Sequence, residues 1–247
     1  MQPNNKIETM QALLIFALAL LPVAILLFHI YKSDPIPEPP RQLFKAFLYG
    51  MAIVIPVSII EAPISMAIAA VFPSNTLAYA GLNAFLTAAI PEEGMKLLAL
   101  WLLVRKNPYF DEHIDGIVYA VFVSLGFAAI ENVGYLFGNI TEWQQVGIIR
   151  ALLAVPGHYC FGVLMGFFFA LYYFVNRSRR NKFLILGAPV LTHGIYDTFC
   201  FLADINEVMG TIGLVAVVAF SIWLHKFCRK RIATHTYRDN RIFGQMS

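Results

Sequence analysis

Six side chains that a bilayer tolerates poorly lie inside apolar stretches: Glu61, Glu92, Glu93, Lys96, Glu131 and Asp197, with His158 and His193 in similar surroundings. A charge at mid-membrane costs roughly 2.5 to 3.5 kcal/mol on insertion scales, and one that persists usually faces a bundle interior or a water cavity. Six of them, unpaired and additive, would cost about 15 to 21 kcal/mol, more than the roughly 5 to 15 kcal/mol that holds a typical protein folded. They must therefore be paired, protonated, hydrated or bound to metal. Carboxylates and imidazoles around water suit hydrolysis by two routes. A divalent ion on Glu and His ligands lowers the pKa of bound water and polarises a carbonyl, leaving another glutamate as general base. Without metal, a glutamate paired with histidine activates water while His193 and Asp197 stabilise the oxyanion. Spacing does not choose between the routes: HExxH is absent, and no single helix supplies two histidine ligands. Serine chemistry has less support, because GxSxG is absent as well.

Local spacing sharpens the picture. His193 and Asp197 are four residues apart, as are Glu92 and Lys96, so each pair shares one face of a helix. Glu92 and Glu93 diverge by about 100° around the axis, so both are not expected to point at one atom; one would act and the other orient it. Pro91 and Pro156 remove backbone donors and disfavour regular helix just ahead of them, which would open those segments where water must enter. Gly162 and Gly166 form a GxxxG step that permits close helix approach.

The elements that must position these residues follow from composition. The 247-residue chain is 59% hydrophobic and only 13% charged, with mean hydropathy +0.66, against about 25% charge in soluble domains. A disordered chain and a soluble enzyme are both disfavoured. Seven apolar segments, residues 10–31, 43–72, 77–104, 115–138, 146–175, 183–205 and 208–227, are each long enough to span as a helix. The first reads as a retained span rather than a signal peptide, because no small-x-small cleavage site follows it. Ser33 to Arg41, rich in proline, cannot be helical throughout and is expected to run extended along the surface. The three cysteines, Cys160, Cys200 and Cys228, show neither disulfide nor metal-ligand spacing. The expected fold is thus all-α, a polytopic membrane helix bundle forming one domain over residues 1–247. Its motif-bearing core is about 77–205, and a basic tail covers 228–247.

Fifteen lysines and arginines fall in the loops after segments one, three and five and around the tail, and none in the loops after segments two, four and six. The positive-inside rule then places the N-terminus outside and the C-terminus in the cytoplasm. This topology also explains the net charge of +3 without a nucleic-acid partner. At ~1.5 Å per residue from the cytoplasmic ends, Glu92 lies ~18 Å deep, Glu131 ~24 Å, His158 ~26 Å, His193 ~15 Å and Asp197 ~21 Å. Four helices would thus bring acids and histidines to one layer, with Glu61 at ~27 Å rimming it. Arg150, near the outer end of segment five, is expected to snorkel to the interface, and Phe167, Phe168 and Phe169 to face lipid or fill the core.

Three motifs in this order resemble a known family. PEEGMK (Pro91 to Lys96) is similar to EExxK, GFAAIEN (Gly126 to Asn132) to FxxxEN and HGIYD (His193 to Asp197) to HxxxD of the PrsW-type intramembrane proteases. That family is distantly similar to the CAAX-protease and bacteriocin-immunity superfamily. The resemblance covers segments three to six. It implies a bacterial cytoplasmic-membrane endopeptidase that cuts a single-pass, anti-sigma-factor-like protein near the outer face. By position it carries over Glu92, Glu93, Glu131, His158 and His193 as catalytic or metal-binding residues, with Asp197 assisting. Glu92, Glu131, His158 and His193 would be the ligands of a divalent metal, zinc first among candidates, though a metal-free glutamate mechanism stays open. EExxK instead of EExxxR, and a glutamate in place of the histidine of FxxxH, argue against prenyl-protein substrates. Two non-protease readings compete: a non-catalytic scaffold or immunity-type protein that binds a membrane peptide, and a proton-coupled transporter, whose expected inverted repeats the sequence lacks.

Overall fold

A backbone inside lipid must satisfy its own hydrogen bonds, which leaves helices as the spanning element for a chain with long apolar runs and no alternating pattern. The computed structural model describes residues 3–243, and every regular element among them is helical. In chain order these are α1 (Pro3–Lys32), α2 (Pro40–Val71), α3 (Leu77–Leu82), α4 (Ile90–Val104), α5 (His113–Gly138), α6 (Trp143–Ile149), α7 (Val155–Ala170), α8 (Arg179–Phe201) and α9 (Glu207–Phe243). Six stretches are long and apolar enough to cross a membrane: Thr9–Lys32, Pro40–Val71, His113–Gly138, Trp143–Val175, Arg179–Asp204 and Glu207–Arg241.

The remaining expected span, 77–104, is helical but not regular. A π-helical turn, Asn83–Ala89, separates α3 from α4, and the Ile90 amide bonds five residues back to the Phe85 carbonyl. Pro91 follows at once: it has no N–H for the α-helical ladder and its ring needs room on the preceding turn. Glu92, Glu93 and Lys96 cluster within this stretch and dilute its apolar character. The same device recurs at Pro156, where a π turn over Arg150–Ala154 joins α6 to α7 and the Val155 amide bonds to the Arg150 carbonyl. The distortion expected at both prolines thus takes the form of a widened turn.

Helix α5 is the hub. Of its most apolar 18-residue stretch 89% is buried, against 22% for α1 and α2, 28% for α8 and 17% for α9, so these four helices turn much of their apolar surface outward. Leu13, Leu21, Ile55, Ile59, Met66, Leu214 and Val215 are among the exposed apolar side chains, the pattern expected where lipid replaces water as solvent. Glycines set the crossings. A Cβ on Gly166 would lie 2.1 Å from the Gly116 carbonyl oxygen, and one on Gly162 would lie 3.0 Å from Val121 Cα. The GxxxG step therefore brings α7 against α5 at near backbone contact. Phe167 and Phe169 are buried and fill core.

One expectation is corrected and one gains detail. The basic segment beyond residue 227 is helical as far as it is described: α9 continues to Phe243, with residues 244–247 outside the described region. Its extension is held by buried groups, His235 Nε2 lying 3.1 Å from the Phe167 carbonyl and Asp239 accepting from His113. The Ser33–Pro39 connector is non-helical as its prolines require, but it does not simply skirt the surface, since Asp34 and Glu38 are buried. Cys160, Cys200 and Cys228 are free thiols, as their spacing predicts.

Candidate active site

Helix α4 begins with the acidic pair. Glu92 and Glu93 diverge around the axis, yet Lys96 stands three and four residues on and closes the gap. Its Nζ is 2.9 Å from Glu92 Oε2 and 2.8 Å from Glu93 Oε1. The expectation that the two carboxylates could not aim at one atom is therefore corrected: both accept from the same ammonium. All three side chains are buried, and the Lys96 ammonium also lies 4.3 Å from the Phe127 ring centroid, a cation–π contact that adds to its anchoring.

The ammonium reaches a second helix. Lys96 Nζ is 3.2 Å from His158 Nδ1 on α7. An ammonium only donates, so Nδ1 accepts and the ring proton sits on Nε2. That nitrogen lies 2.9 Å from Glu131 Oε2 on α5 and donates to it. Glu131 Oε2 also accepts from Arg150 Nη2 at 2.7 Å, and Arg150 Nε donates to Asn132 Oδ1 at 2.6 Å. Arg150 does not snorkel outward; it turns inward over the Tyr135 ring, 3.9 Å from its centroid. The free carboxylate of Glu131 and the amide of Asn132 outcompete the interface for it. Asn132 is itself fixed by donating 2.9 Å to the Ala19 carbonyl of α1, and Ser124 Oγ donates 2.7 Å to the His158 carbonyl.

Helix α8 closes the set from the other side. His193 Nδ1 is 2.9 Å from Glu93 Oε1, and its Nε2 is 3.2 Å from Asp197 Oδ2 one turn on. Phe161 stacks on the ring at 4.5 Å, and the His158 and His193 centroids are 5.5 Å apart. Glu92, Glu93, Lys96, Glu131, His158, His193 and Asp197 thus fall in one contiguous network drawn from α4, α5, α7 and α8. A cavity of about 540 Å³ reaches it, lined by Glu61, Thr87, Glu92, Phe127, Glu131 and Tyr135 among others. Glu61 rims the site as its depth suggested. Glu93 lies deeper, with no exposed surface.

One atom per residue from Glu92, Glu93 and His193 forms a set within 4.8 Å, close enough to hold a metal ion. Glu93 Oε2 is buried without a hydrogen-bond partner, as a carboxylate awaiting a cation would be. Asp197 on the far nitrogen of His193 is the outer carboxylate that commonly orients a metal-binding histidine. The residues therefore fit a metal. Glu131 and His158 stand outside this close set and are tied to it through Lys96. Sequence reasoning pairs Lys96 with Glu92 and Glu93 but misses its contact to His158. It also missed Arg150, although a lone arginine inside an apolar segment was the available signal.

Residues 38–224 match the family model described as PrsW family intramembrane metalloprotease. "Protease PrsW" of Clostridioides difficile (strain 630) is 33% identical over 214 residues, covering 85% of this chain and 87% of the relative. Those of Geobacillus kaustophilus (strain HTA426) and Bacillus subtilis (strain 168) are 37% and 34% identical, over 71% of this chain and 74% and 77% of theirs. No solved structure shows a significant match. The chain is a multi-pass bacterial membrane protein, and it belongs to the PrsW family of intramembrane metalloproteases.

Proposed function

We propose that this protein hydrolyses a peptide bond of a single-pass membrane protein of the anti-sigma-factor type, in a pocket lined by α2, the turn before α4, α4, α5 and the end of α8. The observation that carries the proposal is the unbroken chain of contacts from Asp197 through His193, Glu93, Lys96 and His158 to Glu131, beside a cavity large enough for water and a backbone segment. Glu92, Glu93 and His193 are the holders of a divalent ion, zinc first among candidates, with Asp197 orienting His193. When bound, such an ion polarises the scissile carbonyl and makes water nucleophilic near neutral pH.

The chain's own groups supply the rest. Glu92 lines the cavity; in the metal-free route, where it holds no ion, it is the carboxylate placed to take a proton from attacking water. Glu93, fully buried and bonded to both Lys96 and His193, orients rather than exchanges protons with solvent. His158 and Glu131 form the second proton-handling pair: the Glu131 carboxylate borders the cavity, takes the proton released by attacking water when Glu92 holds an ion, and passes it to the leaving amine, while His158 Nε2–H fixes its position. Arg150 holds the Glu131 carboxylate in place by a direct charge-assisted bond. Lys96 fixes the tautomer of His158 and offsets the two α4 carboxylates.

The whole chain, residues 1–247, acts as one integral-membrane unit of the bacterial cytoplasmic membrane. Residues 77–104 serve as a seventh crossing, with the N-terminus outside and the C-terminus in the cytoplasm. The distribution of lysine and arginine supports this orientation. The test is reconstitution of the purified protein in proteoliposomes with a tagged single-pass substrate, followed by mass mapping of the products. A cut at or just inside the outer boundary of the substrate helix is expected. Intact substrate together with solute uptake under a proton gradient would replace the protease reading by a transporter.

A further inference from the structure

A second group of buried acids lies far from the intramembrane centre, where the Ser33–Pro39 connector and the loop before α5 meet the start of α5. Along that helix Asp115 is ~24 Å from Glu131. Atoms of Asp34, Glu112 and Asp115, one per residue, lie within 4.8 Å of one another, and the three residues are 5%, 4% and 1% exposed. Each carries one oxygen, Asp34 Oδ2, Glu112 Oε2 and Asp115 Oδ1, that is buried and has no hydrogen-bond partner.

The local donors are already used. The amides of Asp111 and Glu112 donate to Asp115 Oδ2 at 3.0 and 2.7 Å, and those of His113 and Ile114 donate to Asp239 at 3.0 and 2.9 Å. The Ile36 amide takes Asp34 Oδ1 at 3.0 Å, and Tyr119 donates its hydroxyl to Glu38. Among the described residues no lysine, arginine or histidine forms an ion pair with Asp34, Glu38, Glu112 or Asp115. Leaving three buried carboxylate oxygens unsatisfied is expensive.

We propose that Asp34, Glu112 and Asp115 form a second cation site, which takes a hard divalent ion of the magnesium or manganese class and clips the connector and the loop before α5 onto that helix. All-oxygen carboxylate donors select hard cations over the softer metals that thiolates and imidazoles attract. Two oxygens bound to one such ion at roughly 2.0 to 2.6 Å lie no more than ~5 Å apart, the spacing these residues offer. The competing state is protonation, since burial raises Asp34 to about 6 and Glu112 to about 7. A proton shared between two carboxylates would draw them into a hydrogen bond, and none of the three free oxygens makes one.

The experiment is Mn²⁺ binding to full-length purified protein, followed by electron paramagnetic resonance. Protein carrying Glu92→Gln and His193→Ala serves as background, so that the intramembrane centre is silenced and failure of the protease reading is scored separately. That background protein should still bind Mn²⁺, Mg²⁺ should displace it, and its thermal midpoint should rise with added Mn²⁺. Adding Asp34→Asn or Glu112→Gln should each weaken binding by about tenfold or more. Asp34 lies outside any helix, so its variant carries the test if loss of the Glu112 side chain disturbs the start of α5. Unchanged affinity in the Asp34 variant, or a background protein whose thermal midpoint ignores Mn²⁺, would overturn the site and leave shared protons as the account of the cluster.

Discussion

His158 has partners of opposite character on its two ring nitrogens, an ammonium on Nδ1 and a carboxylate on Nε2, and Lys96 is what makes that asymmetry possible. Replacing Lys96 by methionine keeps the volume but leaves Glu92 and Glu93 without their shared cation. Breaking a buried pair in this way costs about 3 to 5 kcal/mol. A lower thermal midpoint and lost cleavage are expected for Lys96→Met, and a midpoint like that of the parent would show that the lysine is dispensable to the network. Metal dependence belongs to the same scale. Purified protein should contain near-stoichiometric zinc or a related ion, and chelation should remove activity that added metal restores; a metal-free sample with full activity would select the glutamate-only route. The acids and histidines were legible from sequence because each is costly in lipid unless it has a partner. Their pairings were only partly legible. His193 with Asp197 follows from helical spacing, whereas Lys96 with His158 and Arg150 with Glu131 depend on how α4, α5 and α7 are rotated and packed.

At the scale of elements, two prolines and one glycine step decide how the helices meet. Pro91 and Pro156 each follow a π turn, a feature that often marks functional sites, and here the turns end within one helical turn or so of Glu92 and His158. Gly166 is where α7 touches α5. Gly166→Ala should destabilise by about 1 to 3 kcal/mol or more, because the added methyl would meet backbone that cannot yield. Gly134→Ala, with nothing within 4 Å of its Cβ, should be neutral or stabilise by roughly 0.5 to 1 kcal/mol. Thermal midpoints of the two variants should therefore move in different directions or by different amounts; equal losses would contradict the crossing described. Six of the seven expected spans appear as long apolar helices at nearly the expected places. Apolar runs do not reveal that α9 continues beyond residue 227, where its polar extension buries His235 and Asp239 against α7 and α5. Asp34 and Glu38 were likewise unreadable, since a proline-rich connector with two acids looks like a solvated loop until its neighbours are known.

For the whole molecule, the proposed orientation sets the basic loops on one side and the loops at residues 72–76 and 139–142, which hold no lysine or arginine, on the other. In a background lacking Cys160, Cys200 and Cys228, single cysteines at Ser74 or Thr141 should react with an impermeant thiol reagent applied to intact cells. Reaction only after lysis would invert the topology. The account rests most heavily on side chains from four helices forming one hydrolytic centre, and the most direct measurement is cleavage of a reconstituted single-pass substrate by Glu92→Gln, Glu131→Gln and His193→Ala proteins, each shown to be folded by an unaltered elution profile and helical signal. The account predicts that all three, drawn from α4, α5 and α8, lose cleavage while remaining folded. Cleavage at parental rate by folded Glu92→Gln and His193→Ala proteins would contradict it.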